Sequence, residues 1–354
     1  MAESATLNNG RRGSSAPLLR RLKGLAGTLT SLLVTMIGLL FVTFIIGRVM
    51  PIDPVLAVVG ERASPEYYQQ VYEQMGLDQP ILIQFIYFLG DVVQGNFGIS
   101  TLTARPVSED IARVFPATLE LASIATLIGV FLGVPAGVLA AVHQGRWPDH
   151  VVRIFGLFGY SMPIFWIGLV GLLIFYGKLG WVGGPGRLDI FYVDVVPSVT
   201  GMILIDSLLA GDMTIFQNAL HHIVLPASIL GYYSMAYISR MTRSFMLEEL
   251  SKEYVVTARV KGLSETAVIW RHALGNVLIP LITVIALSYA NLLEGSVLTE
   301  IIFAWPGLGQ YITNALLSAD MNAVLGGTVV VGLIFVGLNM FSDLLYKVVD
   351  PRAR

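Results

Sequence analysis

The sequence predicts an all-α polytopic membrane protein with six transmembrane helices. Of its 354 residues, 55% are hydrophobic and only 13% are charged, whereas a soluble domain typically carries about 25% charged residues. The mean hydropathy is +0.72, and the 36 glycines are scattered through apolar runs, which is typical of membrane helices that pack closely. A water-soluble globular fold is therefore excluded.

Composition also excludes several classes of function. A net charge of −2 leaves no large basic surface for nucleic acid, and the absence of cysteine excludes disulfides, thiolate metal sites and iron–sulfur clusters. His143 and His150 form one pair and His221 and His222 another, and neither pair has a third ligand nearby in the sequence. The motifs H-E-x-x-H and G-x-S-x-G are absent. We therefore expect no metal site and no catalytic residue.

Six runs of roughly 20 mainly apolar residues are long enough to cross a bilayer. They are Thr28–Met50, Ala117–Val142, Val151–Tyr176, Ile223–Met241, Val277–Leu298 and Ala323–Val349. The apolar stretches Ile81–Val93, Met202–Leu209 and Tyr311–Leu317 are too short to cross, and we expect helices at the membrane surface or in loops there.

Lysine and arginine are unevenly divided between the segments that connect these spans. With a cytosolic N-terminus, sixteen of the 22 basic residues lie in cytosolic segments and six lie on the other side. Because basic residues concentrate in cytosolic loops, both termini are predicted to be cytosolic. The organisation is then a basic N-terminal segment (1–27), a first transmembrane helix (28–50), an external region (51–116), a five-helix transmembrane core (117–349) and a C-terminus (350–354). The core includes external loops 177–222 and 299–322 and a long cytosolic loop, 242–276.

That cytosolic loop contains two helical patterns rather than a simple linker. Residues Met246–Lys261 are good helix formers, and Gly262 can supply the left-handed residue that ends a helix. Ser264 can then cap a second helix that contains Thr266–Leu274. The pattern predicts a helix–turn–helix beneath the membrane.

One face of the first of these helices is suited to contact with another protein. Tyr254, Thr257, Ala258 and Lys261 have helical spacing, so they share a face. The small residues at 257 and 258 would let the backbone lie deep in a groove on a partner, with Tyr254 and Lys261 at its ends. The alternative is that this face packs under its own bundle.

The same loop carries a resemblance to a known family. Glu253-Tyr-Val-Val-Thr-Ala-Arg-Val-Lys-Gly262 and Arg271-His-Ala-Leu-Gly-Asn-Val-Leu-Ile-Pro280 resemble the EAA-type coupling loop of ABC importer permeases, in the form used by the dipeptide and oligopeptide branch. Further landmarks of that branch follow in order: Met50-Pro-Ile-Asp-Pro-Val, Gly60-Glu-Arg, Met75-Gly-Leu-Asp, Phe97-Gly-Ile-Ser, Ala117-Thr-Leu-Glu-Leu, Gly159-Tyr-Ser-Met-Pro-Ile-Phe-Trp, Arg240-Met-Thr-Arg-Ser, Phe303-Ala-Trp-Pro-Gly-Leu-Gly and Asp350-Pro-Arg. The ordered set is most similar to the dipeptide permease B-type subunit.

This resemblance implies a type I ABC importer permease in a bacterial cytoplasmic (inner) membrane. Such a permease pairs with a second homologous permease, rests on two ATP-binding subunits and receives dipeptides or short peptides from an external binding protein. The resemblance assigns contact with the ATPase to Glu253, Tyr254, Thr257, Ala258, Lys261 and Gly262. The chain has no G-x-x-x-x-G-K-[ST] loop, so ATP and Mg are expected in the partner subunits, and the chain itself is expected to be no enzyme.

Polar residues inside the predicted spans are candidates for the translocation pathway, because ionisable groups in a membrane usually face a cavity or a partner. These are Glu120 in the second span and Asn291 with Glu294 in the fifth. Glu120 lies near the outer end, where it could instead reach water or Arg113. Asn291 and Glu294 share a helix face, whereas Tyr289 is rotated away from Glu294 by about 140° and should pack against a neighbour.

Pro163 is the best hinge candidate, because a proline within a span frees a backbone carbonyl and permits a bend. A static kink is the alternative. For the whole chain, the alternative functions are an ABC permease for another cargo, such as glutathione, a metal chelate or an oligosaccharide, and an ion-coupled carrier. The carrier is disfavoured because the sequence shows no inverted repeat and few charges at the midplanes of its spans.

Overall fold

The computed structural model describes residues 16–49, 54–60 and 62–349, and some helical residues, chiefly in 16–32 and 342–349 but also Glu294, are described by their backbone only. The parts of the predicted termini at 1–15 and 350–354 and the predicted end of the first span at Met50 lie outside the described residues.

The described chain is helical. Its α-helices are α1 (Ala16–Val49), α2 (Pro54–Val59), α3 (Pro65–Gln74), α4 (Ile81–Val93), α5 (Val107–Val142), α6 (Trp147–Ser161), α7 (Ile164–Gly171), α8 (Ile203–Leu209), α9 (Met213–Leu250), α10 (Glu253–Val260), α11 (Leu274–Gly295), α12 (Val297–Ile302), α13 (Leu308–Leu317) and α14 (Met321–Val349). The π-helical segment Leu172–Lys178 extends α7, and a second, Ala267–Ala273, leads into α11. In the described ranges the only bridge of β type is an isolated one between Ile99 and Pro106.

Three described helical stretches are long and apolar enough to cross a membrane: Val107–Val142, Ala267–Leu293 and Met321–Leu338. A fourth would consist of Trp147–Gly159 and Ile164–Lys178 together. The helix α1 forms a separate compact unit, and its apolar part is Leu33–Arg48. The chain is therefore an all-helical membrane protein. The three apolar stretches that are too short to cross a membrane are helical as expected, and they correspond to α4, α8 and α13.

Two predicted spans belong to longer helices. The helix α5 starts ten residues before Ala117, and α9 starts ten residues before Ile223 and continues nine residues beyond Met241. Hydropathy marks only the part of a helix that suits lipid, whereas the helix itself continues as long as its backbone is paired. Asp212 begins α9 by accepting the N–H groups of Thr214 and Ile215, both at 3.0 Å.

The third predicted span is not a straight helix, so the prediction of one helix over Val151–Tyr176 is wrong. The axes on either side of the break differ by 95°. Met162 is extended, with φ −88° and ψ 130°, as expected of a residue before proline, and Pro163 then begins α7. Pro163 thus lies at the sharp bend, and its role as a moving hinge stays a prediction.

The prediction of one helix over Met246–Lys261 is also wrong, because α9 ends at Leu250 and α10 starts at Glu253. Met246 and Val255 are nine residues apart, which places them on opposite sides of a straight helix. Both are fully buried, Met246 in the cluster that contains Val277 and Val255 against Val268. The break between the helices lets both side chains be buried.

The centre of the bundle is the close contact between α5 and α9, which run parallel. Gly129, Gly133 and Gly137 form a stripe on α5 that faces α9. A Cβ at Gly137 would lie 2.6 Å from the backbone oxygen of Ser239, closer than atoms can approach. The glycines therefore set the distance between the two backbones, as small residues do in membrane helix pairs.

Candidate functional site

The helix α10 has one face against the protein and one bare face. Val255 and Ala258 are buried, Ala258 to 8% exposure, and both pack with Val268. On the opposite side, Val256 and Val260 are 54% and 82% exposed. One side of α10 is therefore packed against its own chain, and the other side, with its exposed valines, is accessible to another protein.

This geometry corrects the predicted docking face. Tyr254 is half-buried and Ala258 lies in the chain's own core, so the expectation that these two side chains point outward is wrong. The exposed stripe is rotated from the predicted one by one residue, or about 100°. Four of the six residues assigned to coupling are exposed: Glu253, Thr257, Lys261 and Gly262. Whether these residues contact a partner stays a prediction.

Polar contacts hold α10 in place. The Tyr254 hydroxyl donates to Glu249 at 2.7 Å, and Lys252 pairs with the same carboxylate. Burial alone would raise the pKa of Glu249, but the bonds from Lys252 and Tyr254 outweigh it and hold that pKa below its usual value. The end of α10 is as predicted: Gly262 has φ +80°, and the Ser264 hydroxyl accepts the Ala267 N–H at 3.4 Å.

A second feature is a half-open cavity of about 430 Å³ between α7, α9 and α11. Its lining includes Asn291 and Tyr233, which supply polar groups, and Ile164, which directly follows Pro163. The cavity therefore adjoins the bend between α6 and α7. It is lined by Ile164, Leu230, Tyr233, Asn291, Leu292 and Gly295.

The other polar residues predicted near Asn291 are placed differently. The Tyr289 hydroxyl lies 3.2 Å from the Ser123 hydroxyl of α5, so Tyr289 packs against a neighbouring helix as predicted. Glu294 belongs to α11, three residues after Asn291, but its side chain lies outside the described residues.

Glu120 does not face this cavity. Its Oε2 lies 2.5 Å from Nη2 of Arg187, and its Oε1 accepts the Leu204 N–H at 2.8 Å. Arg187 also donates to the Gly201 carbonyl at 3.0 Å and lies over the Trp305 ring, 5.6 Å from its centroid. Glu120 therefore anchors the segment between α7 and α8 to α5. The ion-pair partner of Glu120 is therefore Arg187, not Arg113, which was considered from sequence.

Sequence reasoning missed a second buried carboxylate, Glu300. It accepts hydrogen bonds from the Thr118 hydroxyl at 2.7 Å, the Ser296 hydroxyl at 3.0 Å and the Gln310 N–H at 2.9 Å. Burial raises the pKa of Glu300 above its usual value. A usable signal was present, because Glu300 is the only charged residue between Val297 and Phe303.

The turn between α12 and α13 is built around Glu300. The Trp305 indole donates to the Ala117 carbonyl at 2.9 Å, and the Leu308 N–H donates to the Thr118 hydroxyl at 2.8 Å. Gly309 is required by contact, because a Cβ there would lie 2.7 Å from a methyl group of Val297. The motif around Trp305 is thus a structural clamp on the start of α5.

The structure describes no group of three or more histidine or acidic side chains that could hold a metal ion. Its distinctive features are a bundle of long apolar helices, a half-open cavity whose lining includes Tyr233 and Asn291, and a helix, α10, with one exposed face. These features define a helical membrane permease.

Comparison with known proteins gives the family. Residues 133–354 match the binding-protein-dependent transport system inner membrane component, and residues 18–122 match the N-terminal part of that membrane component. The chain belongs to this family, whose members are the inner membrane permease subunits of ABC importers. It is accordingly a multi-pass protein of the inner membrane.

Individual relatives agree over most of the chain. A probable D,D-dipeptide transport system permease protein of Escherichia coli strain K12 is 44% identical over 321 residues, which cover 91% of this chain and 94% of the relative. A di/tripeptide transport system permease protein of Pseudomonas aeruginosa is 43% identical, with 93% and 98% coverage. Among solved structures, a chain of a methionine ABC transporter in inward facing conformations has a TM-score of 0.46 at 18% identity, covering 66% of this chain and 93% of that one.

Proposed function

We propose that this permease imports dipeptides or short peptides and forms the translocation pathway with a second homologous permease. The cargo is supported by the relatives at 43–44% identity, which are permeases of dipeptide, D,D-dipeptide and di/tripeptide transport systems. In this proposal the chain is a type I importer permease with six spans and both termini in the cytosol. A binding protein delivers the peptide to the opposite face, where the loops 51–116, 177–222 and 299–322 lie.

The bare face of α10 is the observation that carries the proposed coupling to ATP hydrolysis. Val256 and Val260 are exposed on a helix whose other face is buried, and apolar side chains on an amphipathic helix are what a hydrophobic groove receives. Two partner subunits bind ATP with Mg, and one of them holds α10 in such a groove. The contact consists of Val256 and Val260 with the exposed members of the predicted set, Glu253, Thr257, Lys261 and Gly262.

Movement of α10 can reach the proposed pathway through the chain itself. Val255 and Ala258 pack on Val268, which lies in the segment that leads into α11, and α11 carries Asn291 into the cavity. Rigid packing of this kind transmits a displacement between two discrete arrangements. Asn291 and Glu294 then line the pathway, and the bend at Pro163 lets α7 move beside the cavity.

The proposal is tested by uptake of a radiolabelled dipeptide into proteoliposomes that contain the full complex, with the binding protein added outside. Val260→Asp should abolish stimulation of ATP hydrolysis by the loaded binding protein, because the groove would have to bury an unpaired charge. The matched control is Val260→Thr, which keeps the shape of this exposed side chain without adding a charge and should retain the stimulation. Normal stimulation with Val260→Asp contradicts the coupling site, whereas uptake of glutathione or an oligosaccharide in place of dipeptide contradicts only the cargo.

A further inference from the structure

His222 is buried on α9, and both nitrogens of its ring face oxygen atoms of the segment between α7 and α8. Nδ1 lies 2.9 Å from the carbonyl oxygen of Gly184 and 3.2 Å from that of Gly186. Nε2 lies 3.3 Å from Oδ1 of Asp189. The residue is only 4% exposed, so water has little access to either nitrogen.

Asp189 is held in this position by a second residue of α9. Asn218, one turn before His222, donates to Oδ2 of Asp189 at 2.5 Å and accepts the Asp189 N–H at 2.9 Å. The backbone is also close, because the Gly183 N–H donates to the His221 carbonyl at 2.8 Å and a Cβ at Gly183 would lie 2.5 Å from the His222 ring. The carboxylate therefore cannot turn away from the ring without losing its bond to Asn218.

Only the charged form of the ring satisfies both of its sides. A neutral imidazole carries one N–H and one lone pair. If the proton is on Nδ1, the lone pair of Nε2 faces the Asp189 carboxylate; if it is on Nε2, the lone pair of Nδ1 faces two carbonyl oxygens. The imidazolium instead donates on both sides, and its bond to the carboxylate is charge-assisted.

We infer that His222 is a pH-sensitive switch, which ties the segment 183–189 to α9 when its ring is charged and releases that segment when the ring is neutral. Histidine is suited to this role because it changes charge between about pH 5 and pH 8. Since the bound arrangement contains the extra proton, its stabilisation is present at low pH and is lost as pH rises.

Other ionisable groups on the surrounding elements do not replace Asp189. In the described part of the chain, Asp189 is the charged group that bonds to the ring, and Arg187, two residues earlier, is paired with Glu120. The remaining ones are Tyr176, which lies against Gly184, the exposed His221, and Glu300 of α12, which is bonded to Thr118 and Ser296. The switch therefore consists of His222 and Asp189.

The segment that the switch holds adjoins the proposed pathway. It follows the π-helical extension of α7, whose first residue, Ile164, lines the half-open cavity, and its Gly186 N–H donates to the Phe303 carbonyl at 2.7 Å. The consequence for transport rests on the proposed function, in which this segment lies on the side of the binding protein. External pH would then bias how firmly the end of α7 is held to α9.

Hydrogen exchange of the full-length chain in detergent, corrected for intrinsic rates, tests the switch without requiring transport. The probes are the N–H groups of Gly183 and Gly186, which are bonded to His221 and Phe303. In the wild type their protection should fall as pH is raised from about 5 to about 8. The expected loss is about tenfold, the size that corresponds to one charge-assisted hydrogen bond.

Asp189→Asn should reverse the direction of this effect. An amide at position 189 can turn its NH2 group to the ring and its oxygen to Asn218. It then donates to Nε2 of the neutral ring and opposes the imidazolium, donor against donor. Protection should therefore rise with pH in this variant, a reversal that a role of Asp189 in packing alone would not produce.

His221→Gln is the matched control, because His221 is exposed and contacts Gly183 through its backbone carbonyl, and it should keep the wild-type pH dependence. Protection that is independent of pH in the wild type, an unchanged direction in Asp189→Asn, or loss of the pH dependence in His221→Gln overturns the inference. Dipeptide uptake by proteoliposomes with a buffered interior should show opposite trends with external pH in the wild-type and Asp189→Asn complexes. Absence of uptake at every pH would contradict the proposed function and leave the exchange result intact.

Discussion

The two ends of α5 use their carboxylates in different ways. On its N-terminal side, which we term the carboxylate end, Glu120 and Glu300 each accept a backbone N–H, and Asp206 accepts three, from Val199, Thr200 and Gly201. Glu120 also forms the ion pair with Arg187. Beyond its last residue, at what we term the arginine end, the ion pairs include Asp149 with Arg243, Glu249 with Lys252 and Glu265 with Arg259.

The difference follows from how each end is built. The carboxylate end contains long irregular segments, whose N–H groups have no helical partner and must be paired when buried. A buried carboxylate can accept several such groups at once. The arginine end consists mostly of helices, which pair their own backbone, so its carboxylates are mainly available to basic side chains, although Asp149 also accepts the Gly145 N–H at 2.9 Å. The carboxylate end is therefore held together by buried hydrogen bonds. The arginine end is a set of partly exposed ion pairs around α10, one face of which is exposed.

The most damaging single change at the carboxylate end should be Glu120→Ala. It leaves the Arg187 guanidinium, 17% exposed, without its counter-ion and the Leu204 N–H without its acceptor. Breaking a buried pair on one side typically costs about 3–5 kcal/mol. Thermal unfolding in detergent should show the loss, and a substantially smaller cost for Glu120→Ala with Arg187→Ala together would confirm that the orphaned charge is the cause.

Glu300→Gln should have the next largest effect. Its carbonyl oxygen can still accept from Thr118 and Ser296, but its amide group then faces the Gln310 N–H, donor against donor. Leaving a buried donor unpaired costs about 1–3 kcal/mol. Glu109→Gln, which lies in the first turn of α5, is the control. Equal stability of Glu300→Gln and the wild type would contradict the assignment of a carboxylate oxygen as the acceptor of the Gln310 N–H.

Acid should loosen the carboxylate end through Asp206. Burial alone would raise the pKa of Asp206, but the hydrogen bonds from Thr200, Gly201 and Val199 outweigh it and hold that pKa below the usual 3.8. A lowered pKa means that the stabilisation is complete above pH 3.8 and is lost as pH falls through the lower folded-state value. Hydrogen exchange at the amides of Val199–Gly201, corrected for intrinsic rates, should accelerate there. Protection of these amides that does not change as pH falls below 3.8 would contradict this assignment.

The smallest effect is expected at the arginine end, from Arg259→Gln. The pair of Arg259 with Glu265 is largely exposed, with side chains 44% and 61% accessible. Exposed pairs contribute about 0–1 kcal/mol and are screened by salt. The melting temperature should hardly change, and the difference from wild type should vanish in high salt. A loss as large as that of Glu120→Ala would show that the two ends do not differ as described.

Much of the helical framework could be predicted from local pattern. Helices were expected over Ile81–Val93 and near the other two short apolar stretches, and the stop at Gly262 and the cap at Ser264 are present as predicted. These features depend on residues within one or two turns of each other. The break at residues 251–252 was missed because it depends on Met246 and Val255 being buried against different helices.

The candidate site divides in the same way. The sequence located the loop that contains α10 and selected Asn291, which lines the half-open cavity between α7, α9 and α11. It could not give the rotation of α10, because only the packing of Ala258 on Val268 decides which face is bare. It also misjudged Glu120, whose partner Arg187 is 67 residues away in the chain.

The sequence by itself determined the class of the protein, because apolar run length, charge asymmetry and an ordered set of motifs are all properties of local sequence. The tertiary structure alone decided which polar groups meet. The pairings of Glu120 with Arg187, Thr118 with Glu300 and Asp149 with Arg243 join residues 67 to 182 positions apart. Such contacts depend on how helices pack, and helix packing is fixed by the whole set of facing side chains, such as the glycines of α5 that let α9 approach.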